Sequence, residues 1–310
     1  MKQDEKLSVV VPCFNEENNI EVLYNLLVPV LESVSPNYEI IFVDDGSKDD
    51  TFQLIRKIST DNNNVSGISL SRNFGHQVAI MAGLQQSKGD IVVMMDADLQ
   101  HPPEVIVKLI AESDKGFDIV NTKRIDSNDS GLFKKTSSRF FYRFINFLSD
   151  VKIEPAAADF RLMSRKAVDA FLQFEEKDRF TRGLISWMGF KQSVIEYHAS
   201  SRFAGKSKYT LRKMMRFGMD GITSFSSKPL RISFYAGLAV FFFGFAYAVY
   251  AIIENVSGKT IPGWTSLLVT VLIIGGFQLL SLGIIGEYIA RIFNQTKARP
   301  LYFIKDKTEE

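Results

Sequence analysis

Leu7-Ser8-Val9-Val10-Val11-Pro12-Cys13 is an apolar run that ends at a polar segment, Asn15-Glu16-Glu17-Asn18. A short apolar run bounded in this way reads as a strand buried on both faces. A helical pattern follows, as far as Val34. The unit then repeats. Tyr38 to Val43 is a second apolar run, stopped by Asp44-Asp45-Gly46-Ser47, and Asp49, Asp50 and Thr51 are placed to cap another helix. Residues 65–70 give a third strand and residues 75–87 a helix. Residues 90–95 give a fourth strand, closed by Asp96-Ala97-Asp98, and Pro102 and Pro103 suit the first turn of a helix that reaches Ser113. Strands alternating with helices predict an α/β domain with a mostly parallel, Rossmann-like sheet covered on both faces. Ligands of such sheets sit beyond the carboxyl ends of the strands. Three of those ends carry acids: Glu16, the Asp44-Asp45 pair, and Asp96 with Asp98. The sequence therefore predicts one acidic rim.

The remainder of the 310-residue chain is of another kind. Residues 230–253 and 264–286 are two apolar runs, the first carrying one charge, Arg231, near its start. Each exceeds the roughly 20 residues needed to cross a bilayer. Lys228 and Arg231 lie at the head of the first run, and Arg291, Lys297 and Arg299 follow the second, whereas the connector at 254–263 holds only Lys259. This bias predicts that both ends of the pair stay in the cytosol. The net charge is only +2. Its basic residues gather beside the apolar runs, which favours anionic lipid over nucleic acid as the partner. Two further segments, one with Lys135, Arg139 and Arg143 and one with Lys208, Arg212 and Arg216, fit helices lying at a membrane surface. The start of the chain is polar and shows no signal-peptide run, so the catalytic part is expected to stay inside the cell. The lone cysteine, Cys13, rules out an intrachain disulfide and reads as a small core residue. The expected organisation is a cytoplasmic catalytic domain at 1–205, an amphipathic interface segment at 206–229, a two-helix transmembrane hairpin at 230–290 and a cytoplasmic tail at 291–310.

The acids suggest chemistry. Asp96 and Asp98, separated by one small residue at a strand end, can bind a hard divalent cation such as Mg²⁺ or Mn²⁺ through oxygen, and Gln100 can add a neutral oxygen. Such a cation offsets the charge of a diphosphate and stabilises it as a leaving group. Asp44 and Asp45 have two readings: turn bonding around Gly46, or acceptance of hydrogen bonds from a nucleobase or ribose. Glu16 likewise either starts a helix favourably or faces a nucleotide. No G-x-G-x-x-G follows the first strand, which counts against a dinucleotide oxidoreductase.

Five segments together, Val9-Val-Val-Pro-Cys-Phe-Asn-Glu-Glu17, Val43-Asp-Asp-Gly-Ser47, Ser71-Arg-Asn-Phe-Gly75, Met95-Asp-Ala-Asp-Leu-Gln100 and Asp159-Phe-Arg-Leu-Met163, resemble family 2 glycosyltransferases of the GT-A fold. The resemblance is strongest to the branch that acts on polyprenyl phosphates, and it spans the paired apolar runs as well. It implies inverting transfer of a sugar from a nucleotide-sugar, a UDP-sugar first, to undecaprenyl or another polyprenyl phosphate at the bacterial inner membrane. Glucose is the first expectation, ahead of N-acetylglucosamine, mannose and aminoarabinose. Carried over by position, Pro12, Asn15, Glu16, Asp44, Asp96 and Ala97 would line the nucleotide-sugar pocket. Asp96, Asp98 and Gln100 would serve a Mg²⁺ or Mn²⁺ cofactor, and Arg124, Arg202 and Lys206 would contact phosphates. Asp159 and Arg161, with Asp98, would act at the reacting centre. Asp159 matches the residue usually assigned as base, but a phosphate monoester with a second pKa near 6 is already largely a dianion at neutral pH, which favours an orienting role for Asp159 towards Arg161 or the sugar. The branch also implies a homo-tetramer. A processive polysaccharide synthase is the alternative enzyme, disfavoured by the absence of a Gln-x-x-Arg-Trp segment and by only two spans. A catalytically silent membrane scaffold or sugar-nucleotide sensor is the alternative of another class, disfavoured by the intact acidic set.

Overall fold

The computed structural model describes residues 5–125, 157–177, 181–198, 226–257 and 263–308. Arg202, Lys206 and both expected surface helices, at 133–148 and 208–225, lie outside the described residues. The chain runs β1 (Leu7–Cys13), α1 (Glu17–Val34), β2 (Tyr38–Asp44), α2 (Thr51–Asp61), β3 (Val65–Leu70), α3 (His76–Gln86), β4 (Ile91–Met94), α4 (Val105–Ser113) and β5 (Ile119–Ile125). There follow β6 (Ala157–Ser164), α5 (Arg165–Leu172), α6 (Thr181–Trp187), β7 (Gln192–His198), α7 (Lys228–Val256), α8 (Trp264–Thr296) and β8 (Ile304–Lys307).

Eight strands form one sheet in the order β7-β5-β6-β4-β1-β2-β3-β8. The centre, β4-β1-β2-β3, is parallel throughout. β6 is inserted antiparallel between β4 and β5, and β7 pairs parallel with β5. Side-chain alternation explains why the strands read as unbroken apolar runs. Val9 and Val11 of β1 pack with Ile20, Leu23 and Leu27 of α1, on the face that also carries α2 and α4. Val10 faces the other way, with Ile41 and Val43, onto α3, α5 and α6. α3 lies so close to β1 that a Cβ on Gly83 would collide with Val10.

β8 pairs antiparallel with β3 after the second apolar helix, closing an edge that would otherwise expose its backbone. Ser71 N donates to Phe303 O at 2.9 Å, Thr308 N to Gly67 O at 2.9 Å, and Gly67 N to the Thr308 hydroxyl at 2.8 Å. The stretch expected as a cytoplasmic tail thus contributes a strand to the eight-stranded sheet. Each such bond contributes about 1 kcal/mol net, so deleting residues 301–310 is expected to lower the melting temperature by about 5–10 °C. A thermal melt in detergent checks this, and an unchanged Tm would show that the edge is not held by the tail.

α7 and α8 are long and apolar enough to cross a membrane, with candidate spans Lys228–Glu254 and Val269–Thr296, each of mean hydropathy 2.1. Large side chains such as Phe234, Phe241, Phe243 and Leu279 are exposed along them. Ser233 and Ser281 bond across the pair at 2.8 Å, the kind of contact that joins helices in lipid.

Candidate active site

The rim begins where β1, β2 and β4 end side by side, with Cys13 in register with Asp44. Three loops are stitched together there. Asn15, in the left-handed region at φ 55°, takes a bond from Lys48 N at 2.9 Å and donates its own N–H to the Ser47 hydroxyl at 2.9 Å. Glu16 N donates to the Thr51 hydroxyl, and the Glu16 carboxylate accepts from Asn19 at 2.5 Å. Gly46 sits at φ 70°, where any Cβ would run into the Arg72 backbone, so glycine is required for the close approach of the third loop.

The neighbouring aspartates divide their work. Asp44 is 2% exposed, and its two oxygens accept from Ser47 N at 2.9 Å and from the Ser69 hydroxyl at 2.7 Å. The Ser47 bond is the turn bonding expected around Gly46, and the Ser69 bond ties β2 to β3. Asp45 holds the Ser71–Gly75 loop by accepting from Phe74 N at 2.7 Å and Gly75 N at 2.9 Å. Pro12 and Ala97 are both buried.

The Asp96–Asp98 loop lies half-buried beyond β4. Asp98 accepts from Gln100 N at 3.1 Å across Leu99, which is itself left-handed at φ 61°. Asp96 N donates to His101 Nδ1 at 3.0 Å. With Nδ1 accepting, the buried His101 ring turns Nε2 to the Asp96 carboxylate at 3.8 Å and stacks on Phe160 at 4.8 Å. Gln100 Oε1 accepts from Arg124 at 2.8 Å, so the oxygen expected to serve a metal is turned to a guanidinium. Glu16 and Asp96 are both pushed above the usual carboxylate range, first by burial and in part by Asp98. The two histidines beside Asp96, His101 and His76, act the other way and lower its pKa in part.

Asp159, the third residue of β6, stands opposite. Its Oδ1 takes Arg161 at 3.1 Å and Arg182 Nε at 3.3 Å, and its Oδ2 takes Gln77 at 3.3 Å. His76 Nε2 lies between the two acidic centres, 3.4 Å from Asp96 Oδ1 and 3.7 Å from Asp159 Oδ2. Burial works to raise the Asp159 pKa, but the His76 bond and the charges of Arg182 and Arg161 outweigh it and hold the carboxyl far below its usual range. Arg161 is 2% exposed, and burial lowers its pKa to about 10 despite Asp159. It stays a cation.

Residues 8–172 match the family described as Glycosyl transferase family 2, more than half of the chain. This chain belongs to glycosyl transferase family 2. Residues 228–292 also match the GtrB C-terminal hairpin. The chain is similar to the uncharacterized glycosyltransferase YkcC of Bacillus subtilis, 43% identical over 98% of this chain and 95% of that protein. It is also similar to the bactoprenol glucosyl transferase of Shigella phage SfX, 41% identical over 97% of this chain and 99% of that protein. A crystal structure of glucosyl-3-phosphoglycerate synthase from Mycobacterium tuberculosis, containing Mn²⁺, UDP and phosphoglyceric acid, resembles it with a TM-score of 0.45 and 18% identity over 71% of this chain and 77% of that one. The chain is a glycosyltransferase of the GT-A fold, and the expectation of that family and fold is met.

The cluster around Asp159 brings in three residues that sequence reasoning passed over: His76, Gln77 and Arg182. His76 directly follows the Ser71–Gly75 segment, and two of the chain's 3 histidines, His76 and His101, face Asp96. That scarcity was the available signal. Arg182 had none, since nothing near it in sequence marks it.

Proposed function

We propose that the chain transfers glucose from UDP-glucose to a polyprenyl phosphate, inverting the anomeric carbon, at the cytoplasmic face of the bacterial inner membrane. The observation that carries this reading is the nearly full-length likeness to a bactoprenol glucosyl transferase, which includes the apolar hairpin as well as the catalytic domain. The lysines and arginines flanking α7 and α8 support both termini being cytosolic. Assembly as a tetramer rests on the family resemblance alone.

Among the described residues no group of three or more His, Cys, Asp or Glu is placed to hold a metal ion. The donor set still fits Mg²⁺ or Mn²⁺. Such cations are commonly held by one or two carboxylates, with substrate phosphates completing the shell, and a positive charge there would favour the ionised forms of Glu16 and Asp96, whose pKa values burial raises. Asp96 and Asp98 would hold the ion, which when bound offsets the negative charge of the departing diphosphate. Asn15 and Glu16 border the nucleotide, and Arg124, Arg202 and Lys206 are assigned to phosphates. The acceptor phosphate oxygen forms the new bond to the anomeric carbon as the bond to UDP breaks. Asp159 keeps Arg161 and Arg182 aligned, and the two guanidiniums offset the repulsion between acceptor and donor.

Incubating the purified enzyme with radiolabelled UDP-glucose and undecaprenyl phosphate is expected to move label into organic-extractable lipid, and EDTA to stop it. Label remaining in the aqueous phase with UDP-glucose, while UDP-N-acetylglucosamine or GDP-mannose is consumed, would reassign the sugar.

A further inference from the structure

The C-terminal end of α8 is joined to the α/β domain by the side chains of Gln295 and Lys177. Gln295 Nε2 donates to Glu175 O at 2.9 Å, and Gln295 Oε1 accepts from Lys177 N at 3.0 Å. Lys177 returns the contact by placing its ammonium on the last carbonyls of the helix, Asn294 O at 3.0 Å and Gln295 O at 3.2 Å. A cation at a helix C-terminus also meets the negative end of its dipole. The joint is exposed, and none of its residues belongs to either hydrophobic core cluster.

The joint lies close in sequence to a contact with Asp159. Four positions after Lys177 comes Thr181, whose hydroxyl bonds Gln77, and then Arg182, which grips both Asp159 oxygens at 3.3 and 3.5 Å. Phe174, on the near side of the joint, packs edge-on against Trp187 at the far end of α6, with ring centroids 5.7 Å apart. α6 is thus fixed at its far end by aromatic packing, while residues 175–177, which precede it in the chain, are fastened to α8 by Gln295.

We propose that Gln295 is a positioning residue for sugar transfer: by fastening residues 175–177 to the end of α8, it sets Arg182 on Asp159, so the apolar hairpin helps to build the transfer site as well as anchoring it. This rests on the proposed role of the Asp159 cluster. Displacement of a positioning group by about 1 Å costs up to about 100-fold in rate. A loosened joint should cost less, because Asp159 still attracts Arg182.

The test compares full-length wild type, Gln295→Ala, Arg182→Ala and the double variant in one detergent, following UDP release from UDP-glucose and undecaprenyl phosphate. Gln295→Ala is expected to lower kcat about 5- to 10-fold with the KM for UDP-glucose within twofold and Tm unchanged. In the Arg182→Ala background it is expected to cost nothing further, since residues acting through one another are not additive. If Gln295→Ala does lower Tm, Lys177→Ala, which loosens the joint from the other side, is read in its place. Wild-type kcat in Gln295→Ala, or losses that multiply in the double variant, would overturn the inference alone. Wild-type kcat in Arg182→Ala would overturn the cluster's role together with it.

Discussion

Asp98→Asn is expected to lower turnover by at least about 100-fold, the scale seen when one preorganised electrostatic contact to a reacting group is removed, without lowering the melting temperature. The two halves of that expectation have one cause. Asp98 lies half-buried on a loop outside both apolar cores. Asparagine keeps an oxygen that can accept from Gln100 N, so the left-handed turn at Leu99 survives. What disappears is a negative charge, and that charge raises the pKa of both Glu16 and Asp96. In the absence of ligand its loss relieves repulsion, so the apo variant should melt at the same temperature or slightly higher. With donor present the same loss weakens the hold on a cation and diphosphate. Activity titrated against Mn²⁺ and Mg²⁺, with a thermal melt alongside, reads both effects. Undiminished turnover of the wild type in EDTA would remove the metal role from this loop.

The parallel centre of the sheet was legible because its strands, buried on both faces, are mostly apolar, with small polar residues such as Ser8 and Ser69 admitted among the buried positions. β1 at Leu7–Cys13 and β3 at Val65–Leu70 agree with the sequence reading residue for residue. β8 was not legible, for the opposite reason. Ile304-Lys-Asp-Lys307 holds one apolar residue, and the strand is fixed by backbone bonds to β3, which leave no trace in side-chain pattern. The acidic rim could be inferred because it follows from where strands end. The division of labour between Asp44 and Asp45 could not, because adjacent residues leaving a strand point to different neighbours, here Ser69 and the Phe74–Gly75 backbone. The Asp159 cluster draws on α3, β6 and α6, segments far apart in the chain, and only Arg161 shares a local segment with it.

Asp159→Asn is expected to cost about 100-fold or more in turnover by the same factor at every pH from about 5 to 8, because the residue orients cations and does not take up a proton. A carboxylate held far below its usual range by His76, Arg182 and Arg161 is a poor proton acceptor. Well above about pH 6 the phosphate acceptor is largely the dianion and has no proton left to give in any case. A general base would therefore reveal itself as a variant defect that deepens below pH 6, where the acceptor monoanion predominates. Stability gives an independent reading. The folded-state pKa is depressed relative to an unfolded value near 3.9, so the carboxylate's stabilisation is fully present above that value and is lost only as pH falls towards the folded pKa. Between about pH 5 and 8 the carboxylate itself stays ionised, so the pH dependence of the Tm difference comes from His76, whose pKa Asp159 helps to raise, and the difference should shrink as pH rises through the His76 range. It should also be large. Asparagine can accept one bond from Arg161, but it leaves that guanidinium, 2% exposed, without its counter-charge, a change that typically costs about 3–5 kcal/mol. Single-turnover rates in neutral detergent and in anionic lipid, taken beside the melts, separate the two roles, since the anionic surface shifts the acceptor's apparent pKa and leaves the Asp159 cluster's geometry unchanged. A rate defect confined to the acid limb in both environments would restore Asp159 as the base.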